Sequence, residues 1–123
     1  MLFQARQIKG IGRGHKIGFP TINLLIPEGF HIDEGIYAVW VVIDNLTYKG
    51  ALHYGPIPTF DLKDKTLEVH LIDVTDGDAP ETFGKEIEID VVERIRDIRY
   101  FDTALELATA ISEDVQKVKL ILK

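Results

Sequence analysis

The chain has 123 residues, 46% hydrophobic and 28% charged, with a net charge of −6 and no cysteine. That length holds one domain with a real core rather than two, and the composition excludes a chain disordered throughout. The acidic balance argues against a protein that coats nucleic acid, and the lack of cysteine removes disulfides, thiolate metal sites and thiol nucleophiles.

In chain order, the pattern predicts a first strand over residues 2–9 and a second, β-branched and apolar, over 21–26. Residues 36–43 (IYAVWVVI) form an almost continuous apolar run, expected to be a strand buried on both faces, with Tyr37 and Trp40 in the core. Asp44-Asn45 reads as a turn into a hairpin partner over 46–52. Residues 66–73 (TLEVHLID) alternate, with Leu67, Val69 and Leu71 on one side and Glu68, His70 and Ile72 on the other. Asp73, Asp76, Asp78 and Glu81 lie in an acidic loop that lacks the spacing of a calcium loop, and 86–95 reads as a further strand.

The period then changes. Thr103 and Glu106 have the spacing of a capping box, and Leu107, Ile111, Val115, Val118 and Leu122 recur at helical spacing. Five or six short antiparallel strands followed by one amphipathic helix predict a mainly β, closed or nearly closed barrel with the helix outside, as a single unit over 1–123. No apolar run reaches the ~20 residues of a bilayer span. The N-terminal residues lack the apolar stretch of a signal peptide. A cytoplasmic monomer with neither nucleic-acid nor membrane partner is the expectation.

Chemistry concentrates in GRGHKIGFPTIN, residues 12–23. Its glycines and basic side chains can offer backbone N–H groups and cations to phosphate, or form an ordinary connection with solvated charges. It is neither a Walker loop nor a dinucleotide fingerprint, because a strand rather than a helix follows. Thr21 and Asn23, two apart on an extended segment behind Pro20, share a face and offer hard oxygens suited to Mg²⁺. Bonding to neighbouring backbone would account for them equally. Glu68 would be a candidate general base inside a barrel or at its mouth, and an ordinary polar residue on a solvated face. The four histidines (15, 31, 53 and 70) lack zinc-motif spacing, although His53 and His70 could meet across strands.

These segments resemble the riboflavin kinase (flavokinase) domain, which also forms the C-terminal half of bacterial bifunctional FAD-synthesising enzymes. GRGHKIGFPTINL is similar to its glycine-rich loop and Gly-Phe-Pro-Thr-x-Asn signature. EGIYAVWV, GALHYGPIPTF, LEVHLID, ETFGKEIEI and RIRDIRYFDTALELATAISEDV resemble later family segments in order, over nearly the whole chain. The resemblance implies a six-stranded Greek-key barrel with a C-terminal helix, and transfer of the γ-phosphate of ATP to the 5′-hydroxyl of riboflavin, giving FMN and ADP. It implies Mg²⁺ and phosphate binding by Thr21 and Asn23, next to Pro20, and a nucleotide flap containing Gly12, Gly14, Lys16 and Gly18. Glu68 would be the catalytic base. His53, Ile57, Glu81, Phe83 and Ile98 stand where the family carries other residues, in regions framing the nucleotide and flavin sites. A flavin- or nucleotide-binding module without turnover is the second reading. No adenylyltransferase half is expected.

Overall fold

The computed structural model describes residues 1–8, 20–56, 65–75, 78–80, 82 and 84–123. Six strands, β1 (Leu2–Ile8), β2 (Thr21–Leu24), β3 (Gly35–Ile43), β4 (Leu46–Pro56), β5 (Lys65–Ile72) and β6 (Glu86–Arg96), precede one long helix, α1 (Ala104–Ile121). They close into an antiparallel barrel in the order β1-β2-β5-β4-β3-β6. Within it β3, β4 and β5 form a meander and β6 returns beside β3, which is a Greek key.

Local chemistry explains the hairpin at its centre. Asp44 and Asn45 both have positive φ, the demand of a two-residue turn whose twist matches its strands, and Ile43 pairs with Leu46 across it. β4 runs to Pro56, four residues beyond the predicted end. β6 carries two register shifts against β3, at Ile36/Tyr37 and Ala38/Val39. Such bulges sharpen the bend that a small barrel needs to close. The β3 entry is tied down there: the buried Tyr37 phenol, pushed above its ordinary pKa by desolvation, donates to the Asp33 carbonyl. Arg94 Nη2 donates to the Glu34 carbonyl at 2.5 Å.

Two apolar clusters result from the strand alternation. Inside the barrel lie Leu24, Tyr37, Val39, Val41, Leu52, Leu67, Val69, Leu71, Ile87 and Ile89. Outside it, Ala38, Ala51 and Ile72 meet Leu107, Ile111, Val115, Val118 and Leu122. β3 is therefore covered on both sides, as its apolar run predicts. Tyr37 belongs to the interior, whereas Trp40 packs half-buried against the outer, helix-side cluster. The helix begins at Thr103, whose side chain accepts from Glu106 N at 3.1 Å. The Glu106 carboxylate accepts from Asp102 N at 3.4 Å, one residue beyond the Thr103 N–H of the predicted reciprocal box.

The interior leaves no room at Gly50. A Cβ there would lie 2.7 Å from Val69 Cγ2 and 3.0 Å from Val41 Cγ2. Gly50→Ala should therefore overpack the barrel and lower stability by about 1–3 kcal/mol in a urea titration.

Candidate active site

Strand pairing decides what meets on the outer wall. β2 pairs with β5 so that Thr21 opposes His70 and Asn23 opposes Glu68. β4 pairs with the other edge of β5, placing Ala51 opposite His70 and His53 opposite Glu68. Two rows thus cross the wall side by side: His53–Glu68–Asn23 and Ala51–His70–Thr21. The alternation puts them on the face opposite Leu67, Val69 and Leu71, which fill the interior.

Glu68 stands neither inside the barrel, nor at its mouth, nor on a solvated face. It lies on the outer wall and is still 2% exposed. At this position facing out of the barrel is therefore not facing water. His53 and His70 are buried as well, while Thr21 and Asn23 are half-buried. Thr21 Oγ1 and His70 Nδ1 are 3.0 Å apart. Pro20 is buried, and its carbonyl accepts from Leu71 N at 2.9 Å, which continues the β2–β5 ladder past Thr21 and fixes the pair in register. His53 and His70 are offset by one row rather than directly opposed, and among the described residues no cluster of three His, Cys, Asp or Glu side chains could hold a metal ion. Gly12, Gly14, Lys16 and Gly18, with Ile57, Glu81 and Phe83, lie outside the described residues.

Beside the two rows a cavity opens between barrel and helix. Ile36, Ala51, His53 and His70 form its barrel wall, Ile98, Arg99 and Phe101 one end, and Leu107 and Ile111 the helix side. Arg96 and Asp114, which also line it, form a bidentate pair: Nε to Oδ1 and Nη2 to Oδ2, both 2.8 Å. Both side chains are largely buried, and Arg96 Nη1 also donates to the Asp97 carbonyl at 2.9 Å. Asp114 was not foreseen. Its signal was an acidic residue at a core position of the helical stripe, between Ile111 and Val115.

The donor set fits a hard divalent cation. Thr21 and Asn23 supply a hydroxyl and an amide oxygen from alternate positions of a strand, with the Glu68 carboxylate directly across from Asn23. Mg²⁺ usually takes few protein oxygens and keeps water and phosphate oxygens for the rest.

The class these features define is a small Greek-key barrel whose polar residues are gathered on its outer wall, beside a helix-covered apolar cavity. Over residues 1–122 the chain matches the family model described as riboflavin kinase, and it belongs to that family. A trifunctional protein RibF/MnmA of Mycoplasmoides gallisepticum is 34% identical over 108 residues, covering 87% of this chain and 16% of that one. A bifunctional riboflavin kinase/FMN adenylyltransferase of Buchnera aphidicola is 34% identical over 113 residues, covering 89% of this chain and 35% of that one. A solved structure described as a macrolide-efflux protein from Streptococcus pneumoniae superposes with a TM-score of 0.81 at 26% identity, covering 96% of this chain and 38% of that one. The chain therefore spans about a third or less of the length of these two curated relatives. Among the described residues no helix is long and apolar enough to cross a membrane.

Proposed function

We propose that this chain is an ATP:riboflavin 5′-phosphotransferase. The observation that carries the reading is the β2–β5 register, which sets Asn23 against Glu68 and Thr21 against His70, in a chain of the riboflavin kinase family. The flavin ring would lie against the apolar wall between Ile36, Ala51 and the helix residues Leu107 and Ile111, where the cavity of about 30 Å³ would have to widen to admit a flat heteroaromatic body. Thr21 and Asn23 would hold Mg²⁺ and, with it, the ATP phosphates, while Gly12, Gly14, Lys16 and Gly18 of the glycine-rich segment contribute to nucleotide binding. When bound, the cation neutralises phosphate charge and orients the γ-phosphoryl group.

The protein's own part is positioning and one proton. Glu68 accepts the proton of the 5′-hydroxyl as that oxygen bonds to the γ-phosphorus. The bond from the γ-phosphorus to the β–γ bridging oxygen breaks, and ADP leaves with that oxygen. A buried carboxylate in a wall of hydrogen-bonded strands is held rigidly, which is what transfer between two bound substrates requires.

The test is riboflavin-dependent ADP release, coupled to detection of FMN. Turnover that requires both riboflavin and Mg²⁺ is the expected result. Flavin binding without turnover would instead support the binding-module reading, whose structural motive is His53, an imidazole placed directly against Glu68 where the family has asparagine.

A further inference from the structure

His70 stands between the two halves of the site. On one side its Nδ1 is 3.0 Å from Thr21 Oγ1; on the other its side chain lines the cavity. Its neighbour across β4 is Ala51, a side chain small enough to leave the imidazole its place on the wall. His70 is 6% exposed and lies beside apolar cavity residues, so its position is set by packing as well as by the bond to Thr21.

From this geometry, and resting on the cation role proposed for Thr21, we infer that His70 is a positioning residue that orients the Thr21 hydroxyl. A hydroxyl that gives a lone pair to a divalent cation must direct its proton elsewhere, and the cation makes that proton a stronger donor. Nδ1 of His70 stands at hydrogen-bond distance, on the same wall and in fixed register, and accepts from that hydroxyl in the tautomer protonated on Nε2. With Nδ1 accepting, the neutral ring carries its proton on Nε2, and the lone pairs of Thr21 Oγ1 are left for the cation. Without that acceptor the hydroxyl rotor loses a contact that orients it, and a donor facing the cation must first turn away. Outer partners of this kind typically change metal affinity by about 10–100-fold.

The experiment measures Mn²⁺ binding in the presence of ADP and without flavin, by electron paramagnetic resonance, on the full chain. His70→Phe keeps a ring but no acceptor and should weaken Mn²⁺ binding by about 10–100-fold. His70→Asn places an amide oxygen close to the Nδ1 position and should stay within about threefold of the parent. His70→Gln carries its acceptor near the Nε2 position and should behave like His70→Phe, which keeps the comparison available if the Phe variant fails to fold. Combining Thr21→Val with His70→Gln should cost no more than Thr21→Val alone, because the two residues act through one hydroxyl. Equal affinities across the His70 variants, or equal losses in the Asn and Gln variants, would overturn the assignment. If the parent itself binds ADP with no dependence on Mn²⁺, the proposed function and this inference fall together. If the parent and Thr21→Val differ but the His70 variants do not, only the inference falls.

Discussion

Glu68→Gln is expected to lower kcat for riboflavin phosphorylation by about 10²–10⁴-fold, the range attributable to one general base. That corresponds to about 3–5 kcal/mol of transition-state stabilisation. Glutamine keeps the size and hydrogen-bonding outline of the side chain but cannot take the 5′-hydroxyl proton. Because the residue lies on the outer wall opposite Asn23 and His53, away from the apolar interior, the exchange leaves the barrel packing intact. Nucleotide affinity should therefore change by no more than about threefold, since the proposed cation contacts come from Thr21 and Asn23. Parallel measurement of kcat and of Mg²⁺–ADP binding separates the effects. A variant retaining more than a tenth of the parental kcat would remove Glu68 from the base role.

The second large effect concerns the contact between barrel and helix. Asp114→Ala removes both carboxylate acceptors of the Arg96 guanidinium, leaving it the Asp97 carbonyl but no counter-charge from Asp114, largely buried beside the cavity. Breaking one side of a buried pair typically costs about 3–5 kcal/mol, so the urea midpoint should fall sharply. Arg96→Leu/Asp114→Leu, which removes both charges, should recover most of that loss because no charge is left uncompensated. If the single and double variants are equally destabilised, the cost belongs to packing around the helix rather than to the stranded guanidinium.

Much of the architecture could be read from periodicity, for identifiable reasons. Leu67, Val69 and Leu71 alternate with Glu68 and His70, and the helical stripe from Leu107 to Leu122 leaves Glu113 and Lys117 to solvent. Alternation separates two faces of a strand but does not say which is the interior when both are covered. That is why Glu68 could be read as an interior, rim or solvated residue when it stands buried on the outside. Nor does it say which strands adjoin. The Asn23–Glu68 and Thr21–His70 neighbours depend on a register between segments 49 residues apart at Thr21 and His70; motif resemblance alone linked Thr21 and Asn23 with Glu68, and nothing in the sequence paired Thr21 with His70. Asp114 escaped notice because its partner, Arg96, lies on a different element and no local rule pairs them.

The short second strand has a consequence for how ligands and stability are coupled. Among the described residues β2 is the shortest strand, four residues against nine in β3 and eleven in β4. The stave that carries Thr21 and Asn23 thus has the fewest residues to hold it in the wall, and transient opening of the barrel should begin there. Mg²⁺–ADP, by binding only the closed form, would suppress that opening in proportion to its occupancy. At a hundred times its dissociation constant the linkage amounts to about 2.7 kcal/mol. Deuterium uptake at the Ile22 and Leu24 amides should then slow by about a hundredfold, while amides in the β3–β4 hairpin change little. The site would act as the latch of its own barrel.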